Sequence, residues 1–457
     1  IIICAFLTIS YFVDKANITD LDFTKDKIYS ISQATKDKLE NLDQKITITT
    51  YNMYEYVEDF ANKYATLNDN ITVEKLENLT SKQEWKTEYG LTDTSSFVAV
   101  ETESKIKILQ DSDLYTYDYS THEQIDITEE AITNAILDVT TNIKPKICIL
   151  TGHNLYNDGY FQYLESSLES EVNQVEYLNL LTAGSIPKDC KVLVITALKN
   201  DIDKKEKDEI LKYINNGGEI LLLMDPNLGK IKTPNFQKIL DVYGVKNSEG
   251  FIMEANSSKM VSGAPSYIIA SINTSSELVK DINMGLNVCM MTAGKLTFES
   301  TDELAKKNVT LETLATVSDK AFYRTDLTSS SQTKISSDES ASGATVAAML
   351  TKTISEDKIS KLIVFSNTAF ATNAQIQMGM YYRYAIEFCN NEDILLNSVS
   401  YLTEREDNIT IRKAGETVTT YDVTENQTKI ILSIIFGIPV VIIIVGIVVW
   451  QVRRRKK

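Results

Sequence analysis

One stretch, Lys191–Pro226 (KVLVITALKNDIDKKEKDEILKYINNGGEILLLMDP), constrains the fold more than any other. Val192–Ile195 and Ile220–Met224 are unbroken apolar runs, the pattern of strands covered on both faces. Between them Asp203 is placed to cap a helix, with Glu206 at its third position as in a capping box. Ile210, Leu211 and Ile214 then share one helical face, opposite Lys205, Asp208, Glu209 and Lys212. Gly217 comes next as a stop that accepts a positive φ. Strand, crossover helix and strand make a right-handed βαβ unit, so the chain is expected to build an α/β protein around a parallel sheet.

The rest of the chain extends that unit in both directions. Residues 14–44 read as a connector that ends in a short amphipathic helix, Ser32–Leu42. Residues 45–127 give strand (Lys45–Thr50), helix (Glu55–Leu67), strand (Ile71–Leu76), helix (Lys82–Tyr89) and a strand pair (Phe97–Val100, Lys105–Leu109). That order suits a small thioredoxin-like α/β domain, and without a C-x-x-C it has no redox motif. Residues 128–244 open the sheet domain with a helix over Thr128–Asn142, capped by Thr128 and striped by Ala131, Ile132, Ala135, Ile136 and Val139. Lys146–Thr151 and Val175–Leu180 are its first strands, with the Tyr160–Leu168 helix between them, and Leu181–Asp189 is short enough to be a loop. Phe236–Tyr243 is a further helix. Residues 245–343 read as an insertion with short strands at Tyr267–Ile272, Val288–Met291 and Leu296–Phe298, and polar loops at Asn256–Lys259 and Thr328–Ser342. Residues 344–427 return to the sheet through Thr345–Leu350, Leu362–Phe365 and a helix at Asp393–Leu402, and then lead off through Ile409–Arg412 and Val418–Tyr421.

Both ends point to a membrane. Ile430–Trp450 is apolar apart from Ser433, and at ~1.5 Å per residue it reaches ~31 Å, enough to span. RRRKK in 451–457 places that end in the cytoplasm. Ser433 and Gly437 form a small-xxx-small pair on which another helix can pack, and Pro439 favours a kink beyond it. Ile1–Val13 is apolar but short, and is read as part of a first transmembrane helix in residues 1–13; a truncated signal peptide is the alternative, although no A-x-A-like cleavage site succeeds it. Either way, Asp14–Gln427 lies outside the cytoplasm and the protein belongs to the cell membrane. A net charge of −17, basic tail included, argues against nucleic acid as a partner.

Few residues carry chemistry. Gly229-Lys230 and Gly294-Lys295 lack the upstream glycine of a Walker A loop, so nucleotide hydrolysis is left to another protein. There is no G-x-S-x-G elbow. The sheet domain is expected to be flavodoxin-like, of the amidotransferase type; such sheets in amidotransferases display a cysteine on a strand-to-helix turn, whereas Cys148 lies inside its strand and Cys190 begins one. Two histidines, His122 and His153, and no H-E-x-x-H leave no metal motif, so no cofactor or metal is expected. The candidate ligand pocket is Gly152, His153, Asn154 and Asp225, at the carboxyl ends of the first and fourth strands. The plainer reading is turn chemistry: a tight turn at Gly152, His153 bonded to a backbone carbonyl, and Asp225 capping the next segment. Tyr115, Tyr117 and Tyr119 alternate as one strand face, and packing explains them better than a sugar platform does.

An ordered series of segments carries a family resemblance: Glu130–Ile136 (EAITNAI), Lys144–His153 (KPKICILTGH), Ile186-Pro187, KVLVITAL, YINNGG, ILLLMDP, Phe365–Asn373 (FSNTAFATN) and Asn391–Leu402 (NEDILLNSVSYL). The chain resembles the GldG-like family, auxiliary membrane components of type-2 ABC transport systems first known from gliding motility. The resemblance implies a bacterial, non-catalytic, extracytoplasmic subunit beside a separate ATPase and an ABC permease. A departure lies in Phe365–Asn373, where family members often carry an acid after the strand and this chain has Ser366-Asn367. The alternative is a membrane-anchored ligand- or glycan-binding module, or a hydrolase, on the same α/β fold.

Overall fold

The computed structural model describes residues 30–403, apart from 41, 119–122, 142–143, 227–230, 247–249, 280–281, 283–284, 325–339 and 379–380. Ile1–Val13, Ile409–Arg412, Val418–Tyr421, Ile430–Trp450 with Ser433 and Gly437, the basic tail, Tyr119 and His122 lie outside the described residues. Among the described residues no helix is long and apolar enough to cross a membrane.

The first unit begins with α1 (Gln33–Leu39), capped by Ser32, and continues through β1 (Ile46–Tyr51), α2 (Glu55–Tyr64), β2 (Ile71–Lys75), α3 (Gln83–Glu88), β3 (Phe97–Glu101) and β4 (Ile106–Gln110). Its sheet runs β2-β1-β3-β4, with β1 and β2 parallel and the other pairs antiparallel. A hairpin of β5 (Tyr115–Asp118) and β6 (Glu123–Asp126) leads into α4 (Thr128–Thr140). The expected cap at Thr128 sits one turn position too late. Thr128 is the first helical residue, and its N–H is taken at 2.8 Å by Asp126 Oδ1. The α4 stripe of Ile132, Ala135, Ile136 and Val139 is buried in the core of this first sheet, with Ile46, Ile48, Val98 and Val100. Glu129, also buried, accepts from the Ser32 N–H and the Thr35 hydroxyl, tying α1 to α4.

The second sheet is larger. It takes in β7 (Lys146–Thr151), α5 (Gln162–Ser170), β8 (Gln174–Asn179), the single turn α6 (Leu180–Ala183), β9 (Cys190–Ile195), α7 (Lys204–Asn215), β10 (Glu219–Leu223) and α8 (Pro234–Tyr243). The short α6 connection agrees with the expectation that no full helix fits there. Next come β11 (Val245–Lys246), β12 (Phe251–Met253), β13 (Tyr267–Ile272), β14 (Asn287–Met291), β15 (Thr297–Phe298), α9 (Thr301–Lys306), β16 (Val309–Thr316) and β17 (Phe322–Arg324). The chain returns through β18 (Thr345–Ser355), β19 (Lys358–Phe365), β20 (Gln375–Met378), β21 (Tyr381–Tyr384) and α10 (Asn391–Leu402).

Nine strands pair in the order β14-β13-β16-β18-β19-β10-β9-β7-β8. From β8 to β19 every neighbour is parallel; from β19 to β14 every neighbour is antiparallel. The fold is therefore α/β as expected, but the sheet is mixed rather than wholly parallel. The residues read as an insertion supply β13, β14 and β16, which extend the same sheet through β18. Alternation divides each apolar run between two cores. Ile147, Val192, Val194, Leu221, Leu223, Ile363 and Phe365 face Leu164 and Leu168 of α5 and Ile394, Leu395 and Val399 of α10. Cys148, Leu193, Ile195, Ile220, Leu222 and Val364 face Ile210 and Ile214 of α7 and Phe236, Ile239 and Leu240 of α8.

The central βαβ unit forms as its residues dictate. Asp203 and Glu206 make the reciprocal capping box, and Gly217 ends α7 with φ +85°. Gly218 has a different task. The Tyr213 ring lies over it so closely that a Cβ there would stand 2.3 Å from the ring. From that position the Tyr213 hydroxyl donates to Lys191 O and Glu219 O at 3.0 and 3.1 Å and accepts from Glu219 N at 3.2 Å. One phenol thus ties the helix end to the starts of β9 and β10. Gly218→Ala should displace the ring and cost ~1–3 kcal/mol, visible as a lower thermal midpoint, whereas an unchanged midpoint would show that the ring is not held.

Candidate functional site at the strand ends

The carboxyl ends of β7, β9, β10 and β19 lie side by side in the parallel half, where open sheets place their ligands. Gly152, just past β7, turns the chain with φ +102°, and its N–H is accepted by Asn154 Oδ1 at 3.1 Å. The loop beyond it is laced to the one after β9: Leu155 N donates to Ala197 O and Lys199 N to His153 O.

His153 does not bond a backbone carbonyl through its ring, as the sequence suggested. The ring is buried, with Nε2 2.8 Å from Glu206 Oε2 and Nδ1 2.8 Å from Asn200 Nδ2. With Asn200 donating, Nδ1 accepts and the ring proton sits on Nε2, directed at the carboxylate. Glu206 is 2% exposed, and the same Oε2 receives the Asp203 N–H of the capping box. A helix-start signal in the sequence therefore also serves as the anchor of a buried histidine. Acidic residues at the third position of a capped helix are common, so nothing in the spacing announced this second role.

Asp225 comes directly after β10 and Met224, and residues 227–230, the segment it is read as capping, lie outside the described residues. Its Oδ1 accepts from Thr368 N at 2.7 Å and from Asn367 Nδ2 at 3.4 Å, and its Oδ2 accepts from the Tyr156 hydroxyl at 3.2 Å. Burial pushes the Asp225 carboxyl above its usual range, against the lowering effect of the bonds from Thr368 and Tyr156. The Tyr156 hydroxyl is likewise pushed up, by burial first and the Asp225 charge next.

Thr368, fully buried and not singled out by any sequence signal, is the centre of the arrangement. Its hydroxyl donates to Leu223 O at 2.7 Å and accepts from Ala197 N at 3.0 Å, while its own N–H goes to Asp225. One residue after β19 thus fastens the ends of β9 and β10. Asn367 holds Met291 through both amide atoms, accepting its N–H at 3.2 Å and donating to its carbonyl at 2.6 Å. An acid at 367 would lose that donor and face Asp225, so the amide fits this chain's own neighbour. The four residues proposed from the sequence thus divide: Gly152, Asn154 and Asp225 shape the strand-end loops, and His153 turns to α7. Asn154 Nδ2, Thr196 Oγ1, Ser366 Oγ and Glu206 Oε1 are buried without a hydrogen-bond partner among the described residues. Cys148 and Cys190 are buried beside each other, and that contact, with burial, raises the Cys148 thiol far above its usual range. No cluster among the described residues is built to hold a metal.

The fold and its interlocked strand ends define a mixed α/β protein whose central polar groups are largely engaged with one another. The chain belongs to the family described as an ABC-type uncharacterized transport system, whose profile matches residues 144–398, more than half of its length. It is thus an auxiliary component of an ABC-type transport system, in agreement with the GldG-like resemblance. No curated protein matches the chain. Among solved structures, the mmIFT52 N-terminal domain is 13% identical, with 56% of this chain and 97% of that one covered at a TM-score of 0.41. A putative ThuA-like protein from Parabacteroides merdae is 12% identical, covering 60% and 94% at 0.34. A cytoplasmic protein of Salmonella typhimurium, STM3548, is 11% identical, covering 56% and 98% at 0.33.

Two measurements test the strand-end network. Thr368→Val keeps the shape but strands Ala197 N–H and Leu223 O, and should cost ~1–3 kcal/mol in urea denaturation, with Thr368→Ser nearer wild type. Asp225 has a folded-state pKa above its unfolded value, so its contribution is fully present below about pH 4 and is lost as pH rises through the folded value. Asp225→Asn should flatten that decline. Equal pH slopes for the two proteins would mean that the carboxyl titrates normally.

Proposed function

We propose that this chain is a non-catalytic, extracytoplasmic subunit of a bacterial ABC transporter, anchored in the cell membrane and working beside a separate ATPase and permease. The match to the transport-system family across 144–398 carries the reading. Three features support it. The sequence holds no Walker A loop, so ATP can act on this protein only through a neighbour. The Ile430–Trp450 segment and the basic residues after it give an anchor with the bulk of the chain outside. At the strand ends, both ring nitrogens of His153 and both oxygens of Asp225 are held by neighbouring side chains or backbone, an arrangement suited to bracing rather than proton transfer.

The finer fold assignment belongs to the same reading. Numbered along the chain, the parallel half runs 2-1-3-4-5, the flavodoxin-like order. The β2-β1-β3-β4 sheet closed by α4 has a thioredoxin-like plan.

The decisive experiment is purification from native membranes in mild detergents. A polytopic permease and its ATPase should come with the chain, and Gly437→Leu should weaken the association by crowding the small-residue face. A chain that purifies alone in every detergent overturns the transporter reading in favour of a membrane-anchored binding module. For topology, a membrane-impermeant maleimide on intact cells should label a cysteine placed at Ser337 and miss one appended after Lys457. The reverse pattern would invert the orientation.

A further inference from the structure

The most conspicuous exposed aromatic feature of the first unit lies at the carboxyl end of its parallel pair, β1 and β2. Tyr54 and Tyr56 are 62% and 42% exposed, and their rings lie nearly parallel, 16° apart with centroids at 6.1 Å. A pair of exposed tyrosines, apolar at the ring and polar at the hydroxyl, is the kind of surface that interfaces favour.

The turn that carries them is braced. Asn52 adopts φ +51°, a left-handed conformation that asparagine tolerates, and its amide donates to Asp93 O and Ser95 O at 3.2 and 3.1 Å. The Tyr51 hydroxyl adds a third bond to Asp93 O. Tyr54 also occupies the N-cap position of α2 and makes no side-chain cap bond, where Ser, Thr, Asp or Asn would contribute ~1 kcal/mol. At the N-cap, local preference is set aside to place a ring there.

The surroundings are acidic. Glu55 and Glu58 lie in the first turn of α2, and Glu77 just beyond β2. Lys75, ion-paired to Glu58 at 2.8 Å, is also within the influence of Glu55 and Glu77. On the other side, Tyr115 is close enough to Tyr54 and Asp126 to feel both. The tyrosines therefore stand in an acid-rich stretch of chain, next to Glu55, in which Lys75 is taken up by Glu58.

We infer that the Tyr54–Tyr56 platform docks an arginine-bearing segment of a partner protein, the guanidinium lying on the rings and its N–H groups reaching the surrounding carboxylates. Arginine fits better than lysine because its planar cation stacks on an aromatic face while still bonding carboxylates in a fork. The surface is distinct from the strand-end site, and its test reads the surface itself rather than transport.

The test uses the full-length protein in nanodiscs and three dye-labelled peptides of alternating glycine with arginine, lysine or glutamate, at about 0.15 M salt. The arginine peptide should bind saturably and several-fold tighter than the lysine peptide, with no binding of the glutamate peptide. Tyr54→Ala/Tyr56→Ala should weaken the arginine peptide about tenfold, and Tyr54→Phe/Tyr56→Phe should restore most of it, because the ring and not the hydroxyl does the stacking. Circular dichroism checks that the exposed substitutions leave the fold intact. Equal binding of arginine and lysine peptides, or a double-alanine variant that binds as wild type, would reduce the effect to charge attraction by an acidic protein and overturn the inference. Binding of an uncharged oligosaccharide but of no peptide would overturn it as well.

Discussion

Strand β19 must satisfy backbone groups on both of its edges, and it does so with neighbours of opposite sense. On one side Leu362–Phe365 pair in parallel with Ile220–Leu223; on the other the strand pairs antiparallel with β18 from Lys358 to Phe365. Buried peptide groups have no water to turn to, so this double pairing is obligatory. Remove β19, and the parallel half has an open edge along β10 while the antiparallel half loses its connection to it. Both apolar cores depend on the same strand, since Ile363 and Phe365 lie in one and Leu362 and Val364 in the other.

The carboxyl ends of the parallel strands are cross-linked here by side chains. Thr368, three residues beyond β19, reaches the ends of β9 and β10, and Asp225 and Tyr156 carry the linkage on to the loop after β7. Bonds of this kind in a low-dielectric setting resist opening, because each freed group would be left buried and unpaired.

How much the sequence disclosed depends on how locally each signal is written. The βαβ unit was legible because its strands are continuous apolar runs, its helix has a two-sided face and its caps are adjacent residues. Lys146–Thr151 was legible for the same reason. By contrast β16 passed unread: VTLETLAT mixes threonine and glutamate with its leucines, and Leu311 is 38% exposed. Its assignment as a strand comes from pairing with β18, a partner far along the chain. The site was legible only in part. Gly152 and Asp225 could be placed by their position after strands, but Thr368 is an ordinary small polar residue until the fold brings Ala197, Leu223 and Asp225 around it. The His153–Glu206 contact is equally long-range.

The position of β19 along the chain also sets an order of events. Its parallel partner β10 is finished at Leu223, yet β19 begins only at Lys358. During synthesis the strands that emerge first gain α5, α7 and α8 early, but the edge of β10 and the part of one face that α10 covers stay open until nearly the whole remaining domain has been made. Such non-local closure is slow, and the waiting intermediate is prone to aggregate. A nascent chain of this protein is therefore expected to be a client of holding chaperones until residue 365 and α10 have emerged.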